Sequence, residues 1–450
     1  RISFRNFRNG SCRAGLYRHK SNLECFLCRT SDRYQTNERA MTEIVSEDAW
    51  EFIKAYQPTN SEDLLFKPQL FDGVSNELLV KQISGRSWAR LKAPFLLEHK
   101  DYLFGPKLSL EQCSSSFTAV FKAKRLSYFL KSLDTGVDLT AGLGIDSYFL
   151  GKHFKSFTSI EYQNDLIELL KHNNRVLNSN SEIIQARAED YVKNLSKVDF
   201  IYIDPARRGS KGEKTVAWEN CTPNLLELLP TLLEKAGSVA VKASPLIDIT
   251  ESLRQFKGAC AAIDIISVRN EVKELLFWLS PTNHLEIEKV PIHHFNINSE
   301  KEQQYTTTLS EIRDAELKIS HQPLKYLYDP APSFLKTRAF RVLCKDNPNL
   351  YQLGNSSLLT SDVELINFQG RCFLLKEVLL HNKKMLSGIK KKAFSVISKY
   401  SKIRADTFKK TWQLKESSKH FLILVGLDKV TVLHCERNNK TTKAGVHDLK

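Results

Sequence analysis

The spacing of hydrophobic positions along the chain changes at about residue 133. From Ser46 to about Leu133, apolar residues recur three to four positions apart, as in SEDAWEFIKAY and SNELLVKQISG, which predicts amphipathic helices. Beyond this point short apolar runs alternate with amphipathic stretches, which predicts strands and helices in turn. The pattern therefore predicts an N-terminal helical region that leads into an α/β domain with a doubly wound parallel sheet.

The alternating region predicts five strands and five helices, which end in a hairpin. The strands are Val137–Leu139, Phe157–Ile160, Ile183–Gln185, Val198–Ile203 and Ser238–Val241, and the helices are Asp146–Lys152, Asn164–Asn178, Glu189–Leu195, Pro223–Glu234 and Leu246–Phe256. Two further strands, Ala261–Val268 and Glu274–Leu279, are separated by a turn too short for a crossover helix, so they should pair antiparallel. Five parallel strands closed by an antiparallel hairpin form the Rossmann-like sheet of class I methyltransferases.

Composition divides the chain into five segments. Residues 1–40 show neither helical nor strand periodicity, so we interpret them as a disordered or artefactual extension before a native start at Met41. The helical region is 41–133 and the α/β domain is 134–280. Polar residues from Ser280 to Gln304 indicate a boundary, after which we expect two small α+β domains, at 281–380 and 381–450.

The formal net charge of +15 is concentrated at the two ends of the chain. Residues 1–40 carry a net charge of +6 and residues 381–450 carry +12, which leaves −3 for the middle. A nearly neutral body with a basic C-terminal region favours a polyanion partner, although a solvated lysine-rich surface has the same composition.

The nine cysteines and the apolar runs bear on the location of the protein. The cysteines are scattered and no secretory apolar segment precedes them, which favours reduced thiols in the cytoplasm. Cys25 and Cys28 lack a second pair at zinc-site spacing, so we predict no metal site. The longest apolar runs are strand-sized, and no membrane segment is predicted.

The stretch DLTAGLGID, from Asp138 to Asp146, has the pattern of a loop that holds a ligand. A strand delivers Asp138 to its carboxyl end, and Gly142 and Gly144 allow a tight turn with bare backbone before the next helix. Glu161 closes the second strand, where an acid can accept hydrogen bonds from two ribose hydroxyls. Because Ser147 replaces the third glycine of a dinucleotide fingerprint, a nucleoside without phosphate, S-adenosylmethionine, fits better than a pyrophosphate cofactor.

The fourth strand ends in VDFIYIDPARRG. Asp204 and the carbonyl of Pro205 then lie at the mouth of the sheet, where acceptors can hold an amine and orient its lone pair; Asp-Pro is also a common turn initiator. Arg207 and Arg208 either hold a phosphate, stack on a base or remain solvated. Lys242, at the end of the fifth strand, is either a residue of the cleft or a lysine that extends to solvent at a sheet edge.

Several longer motifs resemble a bacterial family of class I S-adenosylmethionine-dependent methyltransferases that carries a ferredoxin-like segment and a C-terminal THUMP-like domain. The resemblance extends from about Met41 to the end of the chain. It implies a methyltransferase core with an RNA-directed C-terminal module, of the kind associated with tRNA. The motifs are LSLEQCSS (Leu108–Ser115), DLTAGLGID, IDPARRG, NLLELLP (Asn224–Pro230), VKASPLIDI (Val241–Ile249), SVRNEVKELL (Ser267–Leu276) and YLYDPAPSFLK.

The resemblance also implies roles for individual residues. The residues that match the family's cofactor loop are Asp138, Thr140, Gly142, Gly144 and Asp146; Glu161 matches its ribose acid, and Asp204, Pro205 and Arg207 belong to its catalytic DPARR motif. Where relatives have Gly-Asp after the third strand, this chain has Ala186-Arg187. Glu189 or Asp190 would then replace the carboxylate that faces the adenine.

The choice of target atom follows from which nucleophiles are present. The DPAR motif also resembles that of uracil-C5 RNA methyltransferases, which attack with a cysteine just after the fifth strand. This chain has Ser244 there, and Cys221 and Cys260 fall elsewhere, so a nucleobase nitrogen is the better target. Ala206 and Arg207 replace the residues that usually stack the base, and Trp218 or an aromatic residue of the N-terminal region are candidates for that contact.

These observations lead to the hypothesis of an S-adenosylmethionine-dependent RNA methyltransferase that acts on tRNA or rRNA and binds the RNA through its basic C-terminal region. Two alternatives remain. The first is a catalytically silent RNA-binding protein on the same scaffold, and the second is an enzyme that methylates a protein or a small molecule.

Overall fold

The computed structural model describes residues 45–56, 61–207, 217–297, 302–427 and 429–438. The predicted extension 1–40, the proposed start at Met41, the Cys25/Cys28 pair and Arg208 lie outside these ranges. In the described ranges the α-helices are α1 Glu47–Ala55, α2 Asn76–Lys92, α3 Lys107–Gln112, α4 Ser116–Phe129, α5 Ile145–Gly151, α6 Asn164–Val176, α7 Ala188–Lys193, α8 Leu225–Lys235, α9 Ile249–Gln255, α10 Leu309–Asp314, α11 Pro332–Thr337, α12 Phe340–Asp346, α13 Lys383–Leu386 and α14 Ala405–Trp412. Short 3₁₀ helices span Ser61–Phe66, Pro94–Glu98, Trp218–Asn220, Ile287–Lys289 and Ser387–Ile389.

The strands of the same ranges form two large sheets and one two-stranded ribbon. They are β1 Thr135–Asp138, β2 Ser156–Glu161, β3 Ser181–Gln185, β4 Val198–Ile203, β5 Ala206–Arg207, β6 Cys221–Thr222, β7 Ala236–Ala243, β8 Cys260–Val268, β9 Glu271–Leu279, β10 Ile292–Ile297, β11 Glu302–Thr307, β12 Ile319–Ser320, β13 Tyr326–Pro330, β14 Tyr351–Leu353, β15 Leu359–Ser361, β16 Gly370–Leu380, β17 Ser395–Lys399, β18 His420–Gly426 and β19 Val430–Arg437.

Side-chain caps explain where several helices begin. The hydroxyl of Ser46 accepts a hydrogen bond from the first turn of α1, and Ser75 does the same for α2. The helix predicted from Pro223 begins at Leu225, because the side chain of Asn224 accepts from the amide of Leu226 at 3.2 Å. The predicted sequence of strands and helices is confirmed, with ends displaced by a few residues.

The nine-stranded sheet has the order β11-β10-β8-β9-β7-β4-β1-β2-β3. Strand β1 pairs in parallel with both β2 and β4, and β4 pairs in parallel with β7. Chain order reverses between β1 and β4, which is where ligands collect at the carboxyl ends of such strands. The predicted parallel sheet is therefore confirmed, and its reversal point coincides with the candidate loop after β1.

The hairpin predicted after the parallel strands is present. Strands β8 and β9 pair antiparallel, and β9 lies between β8 and β7. Arg269 and Asn270 have φ values of 50° and 64°, as expected of a two-residue hairpin turn whose central residues are both left-handed. The sheet then continues through the polar segment that indicated a boundary, because β10 pairs with β8 and buries Ile292 and Phe295.

In the described ranges the chain divides into two compact units, the first formed by residues up to 124 together with 141–153 and 161–185. Helices α1 and α2 pack around Trp50, Leu79 and Ile83, and Ile145 and Leu166 belong to the same core. The predicted N-terminal helices therefore share one hydrophobic core with α5 and α6.

The second unit contains residues 125–140, 154–160 and those from 186 onward. It contains a buried salt bridge in which Arg125 of α4 donates to Asp264 of β8 through two nitrogens, at 2.9 and 3.0 Å. The indole of Trp278 donates to the same carboxylate at 2.8 Å. Three donors thus satisfy a carboxylate that has no exposed surface.

The second unit also contains an eight-stranded sheet, in the order β12-β14-β15-β13-β16-β19-β18-β17. One of its cores contains Leu327, Phe373 and Ile423, and another contains Phe408 and Leu422 together with other residues of α13, α14 and β18. Residues 381–419 belong to this eight-stranded sheet and the helices packed on it, and they include twelve Lys/Arg and two Asp/Glu. Most of the C-terminal positive charge is therefore carried by one folded segment.

None of the helices in the described ranges combines the length and the apolar character needed to cross a bilayer.

Candidate active site

The loop after β1 begins with a turn made by Asp138. Its side chain has 1% of its surface exposed, and Oδ1 accepts a hydrogen bond from the amide of Thr140 at 2.9 Å. A short acid that accepts from a backbone amide two residues ahead closes a local turn. Asp138 therefore shapes the loop that sequence analysis assigned to the cofactor.

Gly142 and Gly144 give this loop its conformation, with φ values of 55° and 79°. A Cβ atom at Gly144 would lie 2.5 Å from Cδ1 of Leu170, so packing as well as backbone angle requires glycine there. A Cβ atom at Gly142 would meet no atom within 4 Å. The loop thus keeps bare backbone beside open space at Gly142, as the sequence predicts for a ligand-holding turn.

Glu161 is held against this loop by backbone amides. Its Oε2 accepts from the amide of Gly142 at 2.9 Å, and Oε1 accepts from Tyr162 at 2.9 Å and Gln163 at 2.8 Å. The side chain is 5% exposed. The glycine loop and the acid that ends β2, 19 residues apart in sequence, are thus directly bonded, and the carboxylate orientation is fixed.

Asp146, in the first turn of α5, binds side chains that sequence analysis did not connect with it. The hydroxyl of Ser114 donates to its Oδ2 at 2.7 Å, and Nζ of Lys122 lies 3.0 Å from Oδ1. Lys122 also donates to Ser114 at 2.8 Å and is 1% exposed. Asp146 therefore balances a buried lysine. Ser114 belongs to the LSLEQCSS motif, and this motif is the feature of the sequence from which the cluster could have been predicted.

Asp204 is held by its backbone and by its side chain. Its amide donates to the hydroxyl of Thr140 at 2.7 Å, and that hydroxyl lies 3.5 Å from Oδ1 of Asp138. Nζ of Lys242 donates to Oδ2 of Asp204 at 2.6 Å. The ends of β1, β4 and β7 thus converge on Asp204, and Lys242 belongs to this cluster.

The remainder of the DPARR motif turns away from β4 into a short ribbon. Pro205 is half-buried and Ala206 is exposed. Strand β5 pairs antiparallel with β6, with Arg207 opposite Cys221 and Ala206 opposite Thr222. The backbone of Arg207 is thereby placed, and Arg208 lies outside the described ranges.

The end of β3 carries the departure from the family pattern. Arg187 precedes α7, and its Nε lies 3.7 Å from Oε2 of Glu189. The side chain of Glu189 is 29% exposed, against 65% for Asp190, which instead pairs with Lys193 at 3.0 Å. Of the two acids suggested for the adenine, Glu189 is the less exposed.

Trp218 is not available to stack a base, contrary to one suggestion from the sequence. It is 2% exposed, and its indole donates to the hydroxyl of Ser252 at 3.0 Å. Its ring packs against Phe256 and Phe277. The residues next to Trp218 in sequence do not reveal this burial, because its apolar partners are Phe256, which follows α9, and Phe277 of β9.

Cys221 and Cys260, the two cysteines considered as nucleophiles, are also buried. Cys221 and Cys260 are 2% and 1% exposed. The thiol of Cys260 donates to the carbonyl of Ala262, and burial raises the pKa of that thiol. Neither residue has the accessible thiolate that a nucleophile requires.

Comparison with known proteins supports the fold. No family model matches the chain. A crystal structure of a putative methyltransferase from Porphyromonas gingivalis is 26% identical, with a TM-score of 0.74 over 87% of this chain and 98% of that one. The two proteins therefore share a fold over 87% of this chain.

Two curated relatives match shorter stretches. A 23S rRNA (uracil(747)-C(5))-methyltransferase of Pyrococcus horikoshii is 25% identical over 131 residues, and an uncharacterized RNA methyltransferase of Nanoarchaeum equitans is 25% identical over 185 residues. The chain spans 31% and 39% of their lengths. From the strand order and the structural match, the chain has the fold of the class I S-adenosylmethionine-dependent methyltransferases.

Proposed function

We propose that this protein is an S-adenosylmethionine-dependent RNA methyltransferase that acts on a nucleobase nitrogen of tRNA or rRNA. The observation that carries the proposal is the 2.9 Å hydrogen bond from the amide of Gly142 to Glu161. A buried acid bonded to a bare glycine loop, at the reversal point of a parallel sheet, is suited to a nucleoside ligand.

The residues present fit such a cofactor. We assign the ribose to Glu161, because its Oε1 accepts from two amides whereas its Oε2 accepts from one and keeps acceptor capacity for a hydroxyl. Open space beside Gly142 admits a ligand against the backbone. The remaining cofactor contacts are assigned to Asp138, Thr140, Gly144 and Asp146, with Glu189 toward the adenine. Asp146 acts from within its cluster with Lys122 and Ser114.

The cofactor, when bound, supplies a methyl group already activated on a sulfonium, so the protein's task is to position the acceptor. We assign Asp204 and the carbonyl of Pro205 to the N–H groups of the target base, which leaves the nitrogen lone pair directed at the methyl carbon. With the methyl group supplied by the cofactor, Asp204 and Pro205 would hold the nitrogen so that its lone pair accepts the methyl carbon, and the nitrogen would release a proton to solvent. Arg207 is assigned to a neighbouring phosphate.

A nitrogen target is favoured over carbon C5 of uracil, although one curated relative is named for C5 methylation. C5 chemistry needs a cysteine nucleophile beside the base. The position after β7 that would hold it is Ser244, and Cys221 and Cys260 are buried. An amine or ring nitrogen carries its own lone pair and needs no such group.

The basic segment supports RNA as the substrate. Both curated relatives are named as RNA methyltransferases. We propose that residues 381–450 are the THUMP-like, RNA-directed part of the chain, that 281–380 form the ferredoxin-like connecting part, and that the protein acts in the cytoplasm. Twelve cations against two acids in residues 381–419 would bind phosphates at many points with little sequence preference.

The second candidate function is RNA binding without catalysis. The pairing of Arg187 with Glu189 favours it, because the less exposed of the two acids suggested for the adenine already has a partner in the chain. This alternative predicts RNA binding and no methyl transfer. Methylation of a protein or a small molecule, by contrast, predicts activity that does not depend on the basic segment.

Calorimetry with S-adenosylmethionine and the E161A variant tests the cofactor assignment. Loss of hydrogen bonds to a charged acceptor should weaken binding about 10- to 100-fold. E168A, which removes an exposed acid from α6 at 50% side-chain exposure, is the control and should bind normally. Equal affinity of E161A and the wild type would reject the assignment.

Transfer of tritiated methyl groups into total RNA from a strain without the gene tests the activity. Incorporation by the wild type, lost in D204A, is the expected result. RNA binding with no incorporation would instead establish the silent alternative, and incorporation into protein alone would establish the third.

A further inference from the structure

We propose that Lys242 is a positioning residue for Asp204, an inference that rests on the proposed function. Sequence alone left this lysine as either a residue of the cleft or a lysine extending to solvent. In the structure its ammonium donates to Oδ2 of Asp204 at 2.6 Å, and the two side chains are 11% and 34% exposed. The lysine therefore turns inward to the DPARR motif.

The surroundings of Lys242 show why it needs this partner. It lies near the end of β7, between Val241 and Ala243, which are buried, and opposite Leu276 of β9. Removing an ammonium from water in such a setting is costly unless a counter-charge is close. Strand β7 itself is fixed by its pairing with β4, where Val241 is opposite Ile203. The charge is thus presented from a rigid strand at the level of Asp204, since Lys242 follows Val241 as Asp204 follows Ile203.

The Lys242–Asp204 pair fixes the carboxylate of Asp204 but leaves one of its oxygens able to bind a substrate. Its amide is held by Thr140 at 2.7 Å and its Oδ2 by Lys242. In the described ranges Oδ1 makes no hydrogen bond or ion pair, and about a third of the side chain is exposed. Lys242 therefore selects one orientation of the carboxylate, in which Oδ1 can accept a hydrogen bond from a substrate.

A stabilising role alone does not account for this arrangement. Because about a third of the Asp204 side chain is exposed, water can solvate its carboxylate when Lys242 loses its charge, and the net contribution of the pair to folding is small. A carboxylate that must aim at a nitrogen has a much stricter requirement, because a displacement of about 1 Å can cost about 100-fold in rate. Loss of the pair should therefore reduce the rate of methyl transfer more than it reduces the free energy of unfolding.

The K242M variant tests the proposal, because methionine retains the length and apolar stem of lysine without the charge. With total RNA and tritiated S-adenosylmethionine, kcat should fall about 100-fold, whereas the apparent KM for RNA, the cofactor affinity and the unfolding midpoint remain close to wild type. K242R, which restores the positive charge, should recover much of the loss. K235M is the matched control, since Lys235 immediately precedes the other end of β7 and pairs with exposed Glu234.

The double variant K242M/D204N separates positioning from an independent effect. If Lys242 acts through Asp204, the double variant should be about as slow as D204N alone. If the reductions in kcat of the two single variants multiply in the double variant, the proposal is overturned. It is also overturned if K242M keeps the wild-type kcat, or if K242M loses both cofactor affinity and stability.

An activity-independent measurement distinguishes failure of this proposal from failure of the proposed function. The ¹³C resonance of the Asp204 carboxyl, assigned with D204N, should shift in K242M and stay in place in K235M. An unchanged resonance in K242M would overturn the pairing even if the enzyme is active. If the wild type neither binds S-adenosylmethionine nor labels RNA, but the Asp204 resonance still shifts in K242M, the proposed function is rejected and the Lys242–Asp204 pair is retained.

Discussion

The hydroxyl of Thr140 accepts a hydrogen bond from the backbone amide of Asp204 at 2.7 Å, which ties the loop after β1 to the loop after β4. The two residues are 64 positions apart in sequence. A threonine in a predicted cofactor loop thus also fixes the first residue of the DPARR motif.

Replacing Thr140 by valine should destabilise the protein. Valine has nearly the same shape but leaves the amide of Asp204 without its acceptor, which costs about 1–3 kcal/mol. Urea unfolding measures this cost, and T140S, which keeps the hydroxyl, should restore most of it. A T140V protein that unfolds at the wild-type midpoint would show that the hydrogen bond contributes nothing.

The two loop glycines should differ in their tolerance of alanine. At both positions a left-handed backbone costs a side chain about 1–2 kcal/mol. At Gly144 the new Cβ also meets Leu170 at 2.5 Å, which adds about 1–3 kcal/mol of overpacking. G144A should therefore unfold at lower urea than G142A, and G144A should lower the midpoint less in an L170A background than in the wild type. Equal unfolding midpoints of G142A and G144A would contradict the packing at Leu170.

Protonation of His294 should make stability depend on pH. Burial lowers the pKa of His294 to about 3, and its ring nitrogens contact the carbonyl of Ser333 and the hydroxyl of Thr307. The unfolded chain binds this proton near pH 6.5 and the folded chain does not, so the unfolded state holds more protons between these values. Stability contributed by neutral His294 is complete above about pH 6.5 and falls by up to about 1.4 kcal/mol per unit as pH decreases toward 3.

Unfolding of H294Q as a function of pH measures this contribution, since glutamine does not titrate. Its stability should vary less between pH 6.5 and pH 4 than that of the wild type. H284Q, which replaces an exposed histidine, is the control and should follow the wild type. A wild-type stability that stays level across this range would contradict the assignment of a buried neutral imidazole.

Neutralising lysines of the basic segment should weaken RNA binding in a salt-dependent manner. Lys390, Lys391 and Lys392 are exposed consecutive residues. In K390Q/K391Q/K392Q the slope of log affinity against log salt should decrease by about 2–3, given about 0.7–0.9 per phosphate contact. Fluorescence anisotropy with labelled tRNA at several salt concentrations measures the slope. The control changes three exposed lysines elsewhere, K54Q/K193Q/K289Q, and an equal decrease there would contradict a dedicated surface.

Much of the fold could be predicted from the sequence because its signals are local. Apolar runs such as VDFIYI, bounded by charged residues, specify strands wherever they occur, and alternation with amphipathic helices leaves few sheet topologies. The short turn at Arg269 and Asn270 specifies an antiparallel hairpin for the same reason. Gly142, Gly144 and Glu161 were identifiable because their positions at strand ends follow from that local pattern.

The partners of the charged site residues could not be predicted. Lys242 and Asp204 are 38 residues apart, and Lys122 and Asp146 are 24 residues apart, at positions that carry no mark of pairing in sequence. Whether a lysine faces solvent or a carboxylate depends on which strands become neighbours. The residues next to Trp218 in sequence do not determine its burial either, because its partners come from elements 30 or more residues away.

The sequence by itself determined the order of strands and helices, the glycine loop and the acids at the strand ends, because backbone preference and hydrophobic period act over a few residues. The tertiary structure alone decided which of those acids bind backbone amides, as Glu161 does, and which bind ammonium groups, as Asp204 and Asp146 do. Burial removes water from these groups, and each must then take the donor that the fold places within about 3 Å.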